Sequence, residues 1–245
     1  MDFLSKENAR KLRERVLGGK INMLEELYWA NIYNSTIADS SWLKNKSVSP
    51  GRWAVGYNYL YVLYRVLNDV KPKNIMEMGL GQSTKIITQY AEALAANHVV
   101  LEQNKEWIKF FKEGFSELSN NTAIEYRAIV QQLFAGDNVP VYENLADKLR
   151  YEGVKYNLFS IDGPCADGAK FSRIDVLKFL PNYLADDFVM LFDDCGRAVQ
   201  LATVDIVKTE LTKLGIDYEY ALYGGYDYKR VAVIASKSWS YLTTL

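Results

Sequence analysis

The sequence predicts an α/β fold: a mainly parallel sheet with helices on both faces, finished by an antiparallel hairpin. Three observations carry this. From Lys73 onward, short apolar runs alternate with longer helical ones, the pattern of strands joined by crossover helices. The first such run empties into a turn with two glycines, "EMGLGQST". The last two runs are separated only by "YGGYDYK". That is too short for the crossover parallel neighbours need, so these two must pair antiparallel.

Residues before Lys73 read as helical. "SKENARKLRERVLGG" opens on Ser5 as a cap and closes on a glycine pair, "INMLEELYWANIYNS" is a second helical run, and "SVSPG" breaks the chain. "RWAVGYNYLYVLYRVLNDV" follows, apolar on nearly every side. A helix of that kind is buried or covered by a partner chain, so a homodimer through the 53–70 helix is one expectation. Two units result, an N-terminal helical extension or cap over 1–70 and a sheet domain over 71–245. In the second, strands are expected at 74–78, 99–102, 123–127, 156–161, 188–192, 217–222 and 230–235. Helices are expected at 83–94, 105–118, 141–152, 171–180 and 198–214.

A chain of 245 residues suits one domain, or one with a small appendage. Apolar residues make up 49%, enough for a packed core, and the net charge is −1 with no block of one sign. No nucleic-acid partner is expected from such a balance. The two cysteines, Cys165 and Cys195, lack disulfide-framework or metal-ligand spacing, which points to reduced thiols and a cytoplasmic protein. The N-terminus has no apolar signal core, and no run of about eighteen apolar residues calls for a membrane.

The ligand is narrowed by the glycine turn and two acids. Gly79-x-Gly81-x-x-Thr84 departs from a dinucleotide fingerprint, which wants a third glycine where Thr84 stands. Glu102 ends the second expected strand, where an acid about 20 residues past the glycines accepts hydrogen bonds from ribose hydroxyls. Glu77, two residues before Gly79, is placed to receive an ammonium group. Ribose plus ammonium, with no phosphate to neutralise, describes S-adenosylmethionine better than NAD. An NAD(P)-dependent oxidoreductase and a catalytically silent cofactor-binding or scaffold protein stand as alternatives.

"EMGLGQST", "VVLEQN", "LFSIDGP" and "MLFDDCGR" occur in the order and at about the spacing of the class I S-adenosylmethionine-dependent methyltransferases. The chain resembles that family over roughly 72–236, most closely the small-molecule and sugar O-methyltransferases with an I-D-G-P segment. The resemblance implies a Rossmann-like sheet of seven strands ordered 3-2-1-4-5-7-6, the seventh antiparallel. It implies S-adenosyl-L-methionine as cofactor and O-methylation of a small molecule, a sugar or a sugar-nucleotide precursor of a surface polysaccharide. By the same resemblance Gly79 and Gly81 admit the methionine part of the cofactor. Gln82, Ser83 and Thr84 offer donors to its carboxylate at a helix N-terminus, Glu102 holds the ribose, and Gln131 lies near the adenine.

Asp162 follows the fourth expected strand; Asp193 and Asp194 follow the fifth. Neighbouring strands are about 4.8 Å apart, so three carboxylates should gather at one edge. They cannot all stay ionised without compensation. Either Asp162 or Asp193 takes a proton and works as general base, or a divalent cation, Mg²⁺ or Mn²⁺, binds among all three. Arg173 and Arg197 are expected to point into the same mouth and hold an anionic acceptor. Trp53 and Tyr57, with Tyr223, Tyr226 and Tyr228 near the hairpin, are expected to rim it, since rings with hydroxyl tips suit sugars. His98, the single histidine, starts the second strand roughly 13 Å from the ligand edge and is not expected to be the base.

Overall fold

The computed structural model describes residues 23–50, 54–145, 153–165, 168–224 and 229–245. Helix α1 covers 23–36. It is followed by α2 (Tyr57–Val70), β1 (Asn74–Met78), α3 (Gln82–Leu94), β2 (Asn97–Glu102), α4 (Lys105–Gly114) and β3 (Thr122–Tyr126). Then come β4 (Ile129–Phe134), β5 (Asp137–Tyr142), β6 (Tyr156–Ile161), a 3-10 segment Ile174–Phe179, β7 (Leu184–Phe192), α5 (Ala198–Lys213), β8 (Tyr218–Tyr223) and β9 (Val231–Ser236).

Seven strands form one sheet in the order β3-β2-β1-β6-β7-β9-β8. The first five are mutually parallel, while β9 runs antiparallel to both β7 and β8. Counting only the strands of this sheet, the order is the expected 3-2-1-4-5-7-6 with its last strand reversed. β1 is buried at four of its five positions, as a parallel strand covered on both faces must be. Its side chains alternate between two cores. Ile75 joins Leu158, Val189 and Leu191 beneath α2 and α3. Met76 and Met78 join Phe159, Met190 and Phe192 against α5 and the 3-10 segment.

The helices of 23–70 belong to the first of these cores. Tyr33, Ile37 and Leu43 pack in the same cluster as Tyr59, Leu60, Leu63 and Leu67 of α2 and Ile86 and Tyr90 of α3. Nine of the 14 residues of α2 are buried within the chain itself, so its apolar run is accounted for without a partner. Two hydrogen bonds tie α2 to the far end of the sheet. Asn58 Nδ2 donates to the carbonyls of Gly224 (2.9 Å) and Lys229 (2.7 Å).

Three elements differ from the sequence expectation. The helix expected over 141–152 is absent from the described part of that range; residues 129–142 form the β4–β5 hairpin, and 146–152 lie outside the described residues. Ala135 and Gly136, at φ 49° and 85°, make its two-residue turn, the left-handed pair a hairpin wants. The expected helix at 171–180 tightens to a 3-10 segment, and α4 stops at Gly114. Among the described residues no helix is long and apolar enough to cross a membrane.

Candidate active site

The glycine turn is built by contact between two strand ends. Asp162 N donates to Met78 O at 2.8 Å and Gly79 N to Leu101 O at 2.9 Å, which continues the parallel ladder past β1. Gly79 sits at φ +103°, and a Cβ there would lie 3.1 Å from the Asp162 carbonyl. A Cβ on Gly163 would lie 2.6 Å from Tyr142 Oη and 3.0 Å from Gly79 Cα. Only glycine permits this backbone-to-backbone approach. Gly81 is different: its φ is −171°, ordinary extended backbone, and a Cβ there would meet nothing within 4 Å. It faces open space at the head of α3.

As N-cap of α3, Gly81 supplies no side-chain acceptor, so the leading amides of that helix are left for water or a ligand. The neighbouring hydroxyls are turned inward. Thr84 Oγ1 accepts from Gly81 N at 2.9 Å and Ser83 Oγ donates to Glu77 at 2.5 Å; both residues are buried. They fix the turn, and the donors left without a side-chain cap at this helix start are backbone amides. Gln82 Oε1 accepts from Ser49 N at 3.0 Å, which fastens the segment before α2 to the head of α3.

Glu77 is only 1% exposed. One oxygen takes the Ser83 hydroxyl and the other lies 3.1 Å from His98 Nε2, whose Nδ1 is 3.1 Å from Thr122 Oγ1. The expectation of an acid open to an ammonium group is therefore corrected: Glu77 braces the turn from inside. His98 is fully buried in the same chain of contacts. Glu102 lies at the tip of β2 and accepts from the amides of Leu80 (3.0 Å), Gln103 (2.8 Å) and Asn104 (2.8 Å). Burial pushes its carboxyl up, and those amides pull it back. It is thereby held beside the Leu80–Gly81 backbone. Gln131, which the resemblance puts near the adenine, is exposed in the middle of β4, opposite Pro140, in a two-stranded sheet separate from the main one. The hairpin missed by the sequence pattern carries it there.

Asp162, Asp193 and Asp194 do come together, with one oxygen from each all within 4.8 Å of one another. What compensates them is neither of the two expected devices alone. Arg173 is buried, with Nη2 2.7 Å from Asp162 Oδ1 and 3.5 Å from Asp194 Oδ2, and Nη1 donates to the Asp193 carbonyl at 2.6 Å. Lys229, also buried, sets Nζ 2.7 Å from Asp194 Oδ1 and 3.2 Å from Asp193 Oδ2. Burial opposes both positive charges, but the three carboxylates more than offset it and raise both pKa values. A divalent cation wants these same oxygens free. With two cationic side chains already on them, the donor set does not fit Mg²⁺ or Mn²⁺.

Asp162 is the most open of the three, its side chain 24% exposed against 0% for Asp193 and 8% for Asp194. Burial pushes its carboxyl up to about 7; Arg173 opposes the rise and Asp193 adds to it. Burial raises Asp193 as well, with Lys229 opposing.

The arginines part company. Arg173, expected in the mouth, is spent on the carboxylates. Arg197 stays at the rim, its side chain 40% exposed and 3.5 Å from Asp194. Tyr57 is half-buried, its ring tilted against that of Tyr33. Its amide bonds Glu26 of α1, whose carboxyl is raised by burial and feels the charge of Lys229. Tyr223 turns to the C-terminus, donating to Leu242 O (2.7 Å) and accepting from Leu245 N (2.9 Å). Trp53, Tyr226 and Tyr228 lie outside the described residues. Lys229 is the residue of the carboxylate cluster that sequence reasoning missed. For Lys229 a signal existed: residues entering an antiparallel β9 must arrive beside those leaving β7.

The sheet order, the reversed β9 and the glycine turn after β1 define the fold of the class I S-adenosylmethionine-dependent methyltransferases. Among solved structures, the chain is similar to a candidate caffeoyl-CoA O-methyltransferase from Staphylococcus aureus, at 14% identity and TM-score 0.54, over 87% of this chain and 99% of that one. It is also similar to the O-methyltransferase from Bacillus cereus in complex with SAH, at 13% identity and TM-score 0.51, over 85% and 90%. No protein-family model and no curated protein matches the chain.

Proposed function

We propose that the protein is an S-adenosylmethionine-dependent O-methyltransferase acting on a small molecule. One juxtaposition carries the reading. The open backbone at Gly81, the uncapped head of α3 and the Glu102 carboxylate stand at adjoining strand ends, and Asp162 stands at the next. The O-methyltransferase similarity of the fold supports it.

The cofactor supplies a methyl group already activated on a sulfonium. The chain's own residues do the rest. Amides at the start of α3 receive the carboxylate of the amino-acid part. Glu102 accepts three amides, which leaves about one of its roughly four lone-pair sites for a ribose hydroxyl. Asp162 would take the proton of the acceptor hydroxyl as its oxygen gains the methyl carbon and the sulfur–carbon bond breaks to leave a neutral thioether. Arg173 holds Asp162 in place. Alignment of acceptor and methyl group contributes roughly 7–11 kcal/mol of the barrier reduction.

The acceptor class we favour is a sugar or sugar nucleotide, a precursor of surface polysaccharide, made in the cytoplasm. Its support is the I-D-G-P segment and Arg197 at the rim, whose guanidinium suits a carboxylate or phosphate. The test is incubation with the cofactor and a panel of sugar nucleotides, read by mass spectrometry. Gain of one methyl group on a panel member, lost in Asp162→Asn, is the expected result. Methyl transfer undiminished by Asp162→Asn on the true acceptor contradicts the role given to that residue.

A further inference from the structure

Three carboxylates at two strand ends are a donor set for a hard divalent cation, yet the place among them is taken. Lys229 Nζ lies 2.7 Å from Asp194 Oδ1 and 3.2 Å from Asp193 Oδ2. The side chain is 7% exposed, so this is not a surface pair that swings into solvent. Topology delivers it. β9 pairs antiparallel with β7, Phe192 opposite Ala232, and Cys195 N bonds Arg230 O at 2.8 Å. The residue before Arg230 therefore enters the sheet beside Asp193 and Asp194. Its backbone is held independently, because Asn58 Nδ2 donates to the Lys229 carbonyl at 2.7 Å. One carboxylate oxygen at the centre, Asp193 Oδ1, is buried without a hydrogen-bond partner.

We propose that Lys229 is a built-in substitute for a divalent cation: its ammonium group stands between Asp193 and Asp194, on oxygens that an ion bound at these strand ends would need, and it is what keeps metals out of this cluster. Arg173 supplies the second positive charge on the other side, 2.7 Å from Asp162. An ion entering beside both would meet two like charges and find four of the six carboxylate oxygens already in ion pairs, Asp193 Oδ1 not among them. With Lys229 removed, three carboxylates face the buried Arg173 guanidinium and the half-exposed Arg197 at the rim, a net charge of −1, and room for a divalent ion opens beside Asp193 and Asp194.

The inference stands on the cluster alone, so its test needs neither cofactor nor acceptor. The full chain is titrated with Mn²⁺, read by the loss of the free-ion paramagnetic signal and by the melting temperature. The wild type should show no saturable binding up to about 1 mM, the weak end of oxygen-ligand affinities. Lys229→Ala should bind at least about tenfold more tightly and gain melting temperature with Mn²⁺, since a ligand of the folded state stabilises it. Adding Asp162→Asn to Lys229→Ala should abolish both effects. Should Lys229→Ala fail to fold, Lys229→Gln keeps the stem and removes the charge. Saturable wild-type binding that Asp162→Asn removes overturns the proposal. So does a folded Lys229 variant that binds no better than wild type.

Discussion

Burial pushes the Asp162 carboxyl up to about 7, and two consequences of opposite sign follow. A base must be deprotonated to accept a proton, so turnover should rise with pH through about 7 while affinity for the demethylated cofactor stays flat; a pH profile of single-turnover rates checks this. Stability moves the other way. The folded state holds a proton that the unfolded chain releases near the ordinary carboxylate value. This group's contribution is therefore full below that value and lost as pH rises through about 7. Asp162→Asn should cut turnover by about 10²–10⁴-fold, the worth of a positioned base, with cofactor affinity unchanged within about twofold. Glu102→Ala should do the reverse. Its affinity loss should be roughly tenfold to a hundredfold by calorimetry, since hydrogen bonds to a charged group are worth about 1.5–3 kcal/mol. Glu102 and Asp162 were legible in the sequence because each follows a short apolar run ending at the same sheet edge. The inward turn of Arg173 was not. A lone arginine in "FSRID" gives no sign of which carboxylates it meets until the strand ends are in place.

The glycine turn separates two positions that look alike in "EMGLGQST". Gly79 needs its left-handed φ of +103° and would drive a Cβ to 3.1 Å from the Asp162 carbonyl. Gly79→Ala should therefore cost about 1–3 kcal/mol of stability, as held backbone strain does, seen as a lower melting temperature. Gly81 has extended backbone and empty space. Gly81→Val should leave the melting temperature nearly unchanged and abolish cofactor binding. The pattern of strands and helices was read largely from periodicity, with β1 and β6 found at their observed bounds. The β4–β5 hairpin was not. "ENLADKLR" after it has helical spacing, and the hairpin's stability comes from packing of Val139 and Val141 on Ile174, a contact no local pattern announces.

The described residues of 23–50 and 54–70 form a layer over the same sheet face that carries Ile75, Leu158 and Val189. α2 reaches across the sheet, with Tyr59 Oη 2.8 Å from Ser160 Oγ on β6 and Asn58 holding the carbonyls of Gly224 after β8 and Lys229 before β9. The apolar character of α2 was plain in the sequence; what covered it was not, since a buried helix and a dimer face share one pattern. Leu60→Ala should cost about 2–5 kcal/mol in denaturant unfolding, the usual range for a fully packed leucine. A chain beginning at residue 71 should lose cooperative unfolding altogether, and retention of a sharp transition would show that the sheet folds without this layer. The proposed cofactor site rests on the backbone at Gly81, the amides of α3 and Glu102, which adjoin at neighbouring strand ends. Isothermal titration of the full chain with S-adenosylhomocysteine tests that proposal most directly. One site per chain is expected, weakened in Glu102→Ala and lost in Gly81→Val. No heat of binding at millimolar ligand, or binding indifferent to both substitutions, contradicts it.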